Sequence, residues 1–381
     1  MSVTAAQGFR AAGHTAGLKA SGKPDLALVV NDGPLDAAAG VFTRNRVVAA
    51  AVPWTRQVLA DGRMRAVVLN SGSANAFTGP QGFADVHATA EAVAAALEIS
   101  AADVGVCQTG VIGVPVAMPR LLAGIPVVAS SLSVDGGADA AVAIMTTDTV
   151  SKEAVVRRDG WSVGGMAKGA AMLAPALATM LVVITTDAVA GAAQLDAALR
   201  AATAVTFDRV DVDGCISTND TVLLLASGAS GVTPDVDGFA AAVHDVCRDL
   251  ALQLVADAEG ASKQVVVEVV GARTDADALD VARAVGRNAL VKTALAGGDP
   301  NWGRVVAAFG LTEAVFEPDD VSVAMNGIVL CDKGSPTGAL VDLTPRDVTI
   351  TVDLRAGSAR AHVWTTDLTT EYVRLNSEYT T

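Results

Sequence analysis

The sequence is poor in aromatic residues and in cysteine. Only 4% of its 381 residues are Phe, Trp or Tyr, so Ala, Val and Leu must fill the core, which disfavours aromatic stacking as a way of binding ligands. The four cysteines, Cys107, Cys215, Cys247 and Cys331, form no CxxC pair. That spacing matches neither a zinc site nor a small secreted disulfide framework, and it predicts reduced thiols in a cytoplasm.

Basic residues are also scarce. The chain has 27 Lys and Arg against 41 Asp and Glu, a formal net charge of −14. Such a field repels nucleic acid and anionic lipid surfaces, so neither is expected as a partner. A small anionic substrate would need a local cation at its site.

The motifs of several common catalytic classes are missing. There is no GxxxxGK[ST] phosphate loop and no HExxH zinc motif. The histidines, His14, His87, His244 and His362, lie far apart and without metal-ligand spacing. Neither a metal nor a nucleotide cofactor is therefore implied, and catalysis should use something other than a Ser-His pair.

Length and hydropathy predict a globular protein of two lobes or one large layered domain, since 51% of the residues are hydrophobic. The N-terminus has no apolar h-region, so no secretory signal is expected. Residues 169–186 carry no charge and reach the lower length limit for a membrane span. Pro175 interrupts that stretch, and a buried loop leading into a strand at 181–185 is the simpler interpretation.

Short β-like runs alternate with helical ones, a pattern typical of α/β or α+β layering. The polar segment NSGSANAFTG (70–79) is predicted to be a loop. Asn326 and Gly327 stand between two apolar runs and predict a hairpin, and the last 90 residues look antiparallel. The predicted strands are 27–30, 65–69, 181–185, 221–226 and 264–270, with two more in 347–364; the predicted helices are 82–97, 194–204, 236–258 and 274–293.

Thr179 is a candidate functional residue because it directly precedes a buried strand and follows Pro175 and Ala178 in a segment of small residues. On chemistry alone, however, a threonine entering an apolar run is an ordinary strand residue. Lys168 is a better candidate than most lysines, since it stands at the edge of an uncharged stretch.

Motifs along the whole chain decide between these interpretations. KGAAMLAPALATMLVVITTDA (168–188) resembles the signature of the ornithine acetyltransferase (glutamate N-acetyltransferase) family, whose members cut themselves to expose a nucleophilic threonine. The loop 70–79 departs slightly, because the family more often has Asn in place of Ser73 and Cys in place of Phe77. Further matching segments are PDLALV (24–29), FTRN (42–45), NSGSANAFTG (70–79), QTGVIG (108–113), IMTTDT (144–149), STNDTVLLL (217–225), GGDPNWGR (297–304) and LNSEYTT (375–381).

The resemblance implies cleavage between Ala178 and Thr179, which yields an alpha chain, 1–178, and a beta chain, 179–381. It implies a layered α/β, N-terminal-nucleophile-like fold, with 179–290 completing the main lobe and about 291–381 forming a smaller C-terminal lobe. Two alpha and two beta chains would form a heterotetramer.

The resemblance also implies a site. Thr179 would be the nucleophile, and its freed α-amino group, with a pKa near 8, would be the adjacent base. The Thr109 hydroxyl and the Gly110 N–H would form the oxyanion hole. The implied substrate-binding residues are Thr146 (or Thr147), Lys168, Thr179, Glu259, Asn376 and Thr381.

The implied reaction is a ping-pong transfer of acetyl from N-acetylornithine to glutamate in cytoplasmic arginine biosynthesis. Four alternatives stay open at this point: a bifunctional enzyme that also uses acetyl-coenzyme A, an amidohydrolase or aminopeptidase of the same fold, a relative serving specialised metabolism, and a non-catalytic binding protein that has kept the scaffold.

Overall fold

The computed structural model describes residues 2–174 and 180–378, and within them the chain forms two compact units. The first unit contains residues 2–208 and 215–254, and the second contains residues 209–214 and 255–378. Among the described residues, no helix combines the length and the apolar character that a membrane span requires.

The first unit contains two β-sheets and six α-helices among its described residues. Its strands are β1 (Phe9–His14), β2 (Leu26–Asn31), β3 (Ala37–Phe42), β4 (Ala66–Ser73), β5 (Val104–Val111), β6 (Lys152–Arg158), β7 (Trp161–Lys168), β8 (Leu181–Thr186) and β9 (Thr221–Ala226). Its helices are α1 (Ala51–Val58), α2 (Gly79–Leu97), α3 (Met118–Ser130), α4 (Gly137–Ala143), α5 (Ala192–Val205) and α6 (Val236–Ala256). One sheet has the order β1-β2-β4-β5, and the other has the order β3-β9-β8-β7-β6.

Alternating side chains place the first sheet between two apolar layers. In β2, Leu26 and Leu28 pack with residues of α2 and α3, whereas Ala27 and Val29 pack with residues of β8 and β9 in the second sheet. Successive strand residues point to opposite faces, so a strand buried on both faces reads as a continuous apolar run. The two sheets therefore lie face to face, with α2 and α3 covering the outer face of the first.

The second unit is built on one six-stranded sheet of order β13-β12-β11-β14-β10-β15. Its core consists of buried residues of this sheet and of α7, α8 and α9. The strands are β10 (Gln264–Ala272), β11 (Ser322–Met325), β12 (Ile328–Asp332), β13 (Ser335–Pro336), β14 (Asp347–Asp353) and β15 (Ala359–Thr366). The helices are α7 (Asp275–Arg287), α8 (Ala289–Ala296), α9 (Trp302–Phe309) and α10 (Thr370–Glu378).

The layered α/β prediction is confirmed, as are the ten predicted strands and helices outside 274–293, to within a few residues. The hairpin at Asn326 and Gly327 is also confirmed, and both residues have the positive φ that its tight turn requires, 48° and 78°.

Two expectations differ from the structure. The segment 70–79 is not all loop, because β4 continues to Ser73 and α2 begins at Gly79. The single helix 274–293 is two helices, since the Asn288 side chain accepts the Leu290 and Val291 N–H groups and starts α8. The antiparallel prediction for the last 90 residues is confirmed, because β11 pairs antiparallel with β12 and β14, and β12 with β13. The parallel pair of this sheet, β10 with β14, involves a strand that precedes those residues.

The longer segment of the second unit starts at Val255. The sequence had placed the start of a C-terminal lobe near residue 291. The difference arises because β10 and α7 pack in the sheet and core of the later strands. The division into alpha and beta chains at 178/179 stays a prediction.

Candidate active site

The strand register pairs one predicted site residue with the start of β8, the strand that follows the predicted cleavage point in the sequence. Lys168, the last residue of β7, pairs directly with Leu181, the first residue of β8. Ala178 and Thr179 lie outside the described residues, as does Thr381. The structure therefore describes the frame on both sides of the predicted cleavage point.

Lys168 and Thr109 are brought together inside this frame. Their side chains are 1% and 2% exposed, and Lys168 Nζ donates to Thr109 Oγ1 at 3.4 Å. A hydroxyl can accept one hydrogen bond and donate another. With the lysine as donor, the hydrogen of the Thr109 hydroxyl is left to point at a further acceptor.

Gly110 follows Thr109 at the end of β5 and cannot carry a side chain there. Its φ is +133°, and a Cβ would lie 2.5 Å from the carbonyl carbon of Gly72. Asn219 holds this step, because its Nδ2 donates to the carbonyl oxygen of Gln108 at 2.7 Å and to that of Ala74 at 2.6 Å. The backbone around the predicted oxyanion donors is thus fixed by close packing and by a buried amide.

Asp148 links Lys168 to a second buried lysine. Its Oδ1 accepts from Lys152 Nζ at 2.6 Å and from Gly169 N at 2.6 Å, and its Oδ2 accepts from Thr146 N at 3.0 Å. Burial opposes the charged form of Asp148, but the Lys168 and Lys152 ammonium groups outweigh it and lower the pKa to about 2. The predicted residue Thr146 therefore meets the site through its backbone.

The cluster of Asp148, Lys152 and Lys168 holds two positive charges against one negative charge. Both ammonium groups are buried and act on the same carboxylate. Buried charges gain stability when a group of opposite charge lies close to them. In a chain of net charge −14, this cluster is a local excess of positive charge.

The titration of Asp148 predicts a specific acid sensitivity. Because its folded-state pKa is below the ordinary 3.8, its contribution to stability is present above pH 3.8 and is lost as the pH falls through about 2. That contribution amounts to about 2 kcal/mol. Denaturant unfolding of wild type and Asp148→Asn across this window tests it. We expect the variant's free energy of unfolding to fall less steeply; parallel curves would contradict the assignment.

Asp220 is a site residue that the sequence did not single out. It is fully buried, and its Oδ1 accepts from Met180 N, the atom bonded to Thr179, at 3.1 Å. Burial raises the pKa of Asp220 well above its usual range, more than this hydrogen bond lowers it. In the sequence, Asp220 stands out only as part of STNDT (217–221), a segment that resembles the family. No neighbouring residue distinguishes it from a solvated acid, and the same is true of Lys152.

Glu259 and Asn376 are brought together in the second unit. Asn376, on α10, donates from Nδ2 to Glu259 Oε2 at 2.9 Å. Thr369 Oγ1 donates to the Gly260 carbonyl oxygen at 2.6 Å and so ties the start of α10 to the residue beside Glu259. The two predicted binding residues therefore form one polar pair.

Facing sheets covered by helices, a buried threonine hydroxyl beside a side-chain-free backbone step, and a buried ammonium group at the same place are compatible with an acyl-transfer enzyme. Among the described residues, no cluster of three or more metal-ligating side chains is found. The ArgJ family model matches residues 10–381. The chain belongs to the ArgJ family and is an acyltransferase of arginine biosynthesis.

Curated relatives match along their full length. The Streptomyces coelicolor arginine biosynthesis bifunctional protein ArgJ is 62% identical over 381 residues, covering 100% of both chains. The Mycobacterium tuberculosis protein of the same name is 58% identical over 387 positions, covering 99% of this chain and 96% of that one. A crystal structure of the M. tuberculosis ornithine acetyltransferase complexed with ornithine is 59% identical, covers 47% of this chain and 96% of that one, and has a TM-score of 0.46.

Proposed function

We propose that this chain moves the acetyl group of N-acetylornithine to glutamate through an acetyl-Thr179 intermediate, after cutting itself between Ala178 and Thr179. The observation that carries the proposal is the buried contact of Lys168 with Thr109 at the point where Lys168 pairs with Leu181. Thr179 is two residues from Leu181, and two residues span at most about 7 Å. This short sequence separation from the Lys168–Leu181 pair supports Thr179 as the nucleophile of this site.

The threonine acts as nucleophile once cleavage has freed its amine. Its oxygen attacks the acetyl carbonyl while the α-amine takes the hydroxyl proton. The tetrahedral oxyanion collapses, the proton passes to the leaving nitrogen, and ornithine departs. The amine of glutamate then attacks the acetyl ester, and N-acetylglutamate leaves as the threonine oxygen regains its proton.

The described residues take complementary roles in these steps. Thr109 and Gly110 donate to the oxyanion, and Lys168 receives the substrate's α-carboxylate. The Thr146 N–H donates to Asp148, whose carboxylate is the negative charge that acts on Lys168. Glu259 and Asn376, with Thr381 beyond the described residues, are proposed from the resemblance to bind the substrate's polar groups. Glu259 has the charge that an ammonium group needs.

Replacing Thr109 by Val, which is similar in shape, removes one oxyanion donor. We expect turnover to fall about 10²- to 10³-fold, the usual cost of losing such a donor, with little change in the KM for N-acetylornithine. Thr109→Ser keeps the hydroxyl and should retain most activity. Steady-state kinetics of both variants test the role of the hydroxyl. Equal losses of turnover in Thr109→Val and Thr109→Ser would indicate a packing effect instead of oxyanion stabilisation.

The acceptor separates acetyl transfer from hydrolysis. With N-acetylornithine alone, the enzyme should release about one ornithine per active site in a burst and then slow. Glutamate should restore steady release and appear as N-acetylglutamate in equal amount. If glutamate changed neither the rate nor the product, an amidohydrolase that resolves the acyl-enzyme with water would be the better assignment.

Acetyl-coenzyme A is proposed as a second acetyl donor, because the full-length relatives are named bifunctional proteins. Release of the coenzyme A thiol that depends on both glutamate and Thr179 would support this activity. Thiol release that persists in Thr179→Ala would count against it.

For assembly, we propose that the fragments 1–178 and 179–381 stay together and pair as a heterotetramer in the cytoplasm. Mass measurement of the native complex beside the denatured fragments tests the stoichiometry.

A further inference from the structure

In the loop between β1 and β2, one buried carboxylate fixes the backbone. Asp25 is fully buried, and it accepts the N–H groups of Ala16 at 2.7 Å, Leu18 at 2.5 Å and Lys19 at 3.0 Å. A carboxylate that accepts several backbone N–H groups holds its loop in one conformation. The position of Lys19 is therefore set before any ligand binds.

This loop lies against the backbone of the predicted oxyanion step. A Cβ on Gly72 would lie 2.9 Å from the Leu18 carbonyl oxygen and 3.4 Å from Lys19 N. A Cβ on Gly110 would lie 2.5 Å from the carbonyl carbon of Gly72. Gly72 is thus packed between Lys19 on one side and Gly110 on the other, which places Lys19 one residue away from the oxyanion donors.

The side chain of Lys19 also belongs to the electrostatics of the site. Its Nζ donates to the Pro24 carbonyl oxygen at 2.7 Å. An ammonium group has three donors, so that contact leaves two of them for other acceptors. Burial lowers the pKa of Lys19 to about 8, and the charge of Lys168 acts in the same direction, opposed by Asp25 and Asp148. Lys19 and Lys168 therefore repel each other, and an anion between them would relieve that repulsion.

We propose that Lys19 is a specificity-determining residue that binds the side-chain carboxylate of the acceptor amino acid. The proposal rests on the proposed acetyl transfer to glutamate. Donor and acceptor share an α-carboxylate, which the buried Lys168 can receive in both half-reactions. Only the acceptor has a second carboxylate. Lys19 is half-buried, its backbone lies against Gly72, and its ammonium group is close enough to Lys168 to interact with that charge.

The two half-reactions should therefore differ in their need for Lys19. Binding N-acetylornithine gains nothing from this ammonium group, because the donor's side chain is itself cationic. Binding glutamate forms one charge-assisted hydrogen bond to it. Lys19 should contribute to the second half-reaction alone.

The test compares Lys19→Met with Lys23→Met, a matched variant of an exposed lysine in the same loop. For Lys19→Met we expect kcat/KM for glutamate to fall about 10- to 100-fold, the range for losing one hydrogen bond to a charged group. The ornithine burst should keep its rate and amplitude. Glutamine, which lacks the charge, should be used equally well by wild type and variant, and Lys19→Arg should restore part of the preference for glutamate.

Two results would overturn the proposal: an equal fall in kcat/KM for glutamate and glutamine, or no fall for either. The proposed acetyl transfer is tested separately, because its failure would appear as the absence of an ornithine burst in the wild-type enzyme. Calorimetric titration of the full chain with glutamate needs no turnover, and equal affinity in wild type and Lys19→Met would also overturn the role of Lys19.

Discussion

Thr179→Ala should yield a single uncut chain with no measurable acetyl transfer, whereas the wild-type protein should separate into fragments 1–178 and 179–381 on denaturation. The substitution removes the hydroxyl that we propose attacks both the scissile carbonyl and the acetyl carbonyl. Intact-mass spectra of the denatured proteins, with ornithine release measured in parallel, check both parts of the expectation.

Thr179→Ser is the matched control, since serine keeps the hydroxyl and the α-amine. It should cut itself and transfer acetyl, each more slowly than wild type. A Thr179→Ala variant that still separated at the same bond would show that another group performs the cleavage. Acetyl transfer by an uncut chain would remove the need for a freed α-amine.

Lys168→Met should abolish most activity at little cost in stability. Losing a buried cation that receives a substrate carboxylate costs about 2–5 kcal/mol, so we expect kcat/KM to fall on the order of 10²- to 10³-fold. The remaining pair, Asp148 with Lys152 at 2.6 Å, is balanced in charge. The free energy of unfolding should therefore change by no more than about 1 kcal/mol.

Lys152→Met should lower stability more, and activity less, than Lys168→Met. It breaks the fully buried 2.6 Å pair with Asp148, and such a change typically costs about 3–5 kcal/mol of stability. Lys168 and its contact to Thr109 remain, so the folded fraction should keep more activity than Lys168→Met does. Kinetics and denaturant unfolding of the two variants together test whether function and stability divide between the lysines in this way.

Much of the fold could be predicted because local composition and tertiary burial agree. Strands β2 and β8 are continuous apolar runs, and both are buried on two faces. The end of β4 could not be predicted in this way. Asn70 looks like a loop residue, yet its side-chain oxygen accepts from Gln108 Nε2 at 2.9 Å along the ladder with β5. Only the partner strand makes that polar segment regular.

The candidate site also contains some residues that local sequence indicates and others that only tertiary contacts reveal. Lys168 could be recognised because it borders an uncharged stretch, and Thr109 because it lies in a family motif. Asp148 and Lys152 are four residues apart and look like an ordinary solvated pair in the sequence, but both side chains are fully buried. Asp220 and Lys19 likewise gain their meaning only from long-range contacts. A charge's environment is a tertiary property, so the sequence alone does not reveal these four residues.

The central claim is the acetyl-Thr179 intermediate. Wild-type enzyme mixed with N-acetylornithine in the absence of glutamate, quenched in acid and analysed by peptide mass spectrometry, tests it most directly. The ping-pong mechanism predicts one acetyl group on the peptide that begins at Thr179. That group should be attached at the hydroxyl and removed when glutamate is added before the quench. Ornithine release at the normal rate with no acetyl group on that peptide would contradict it.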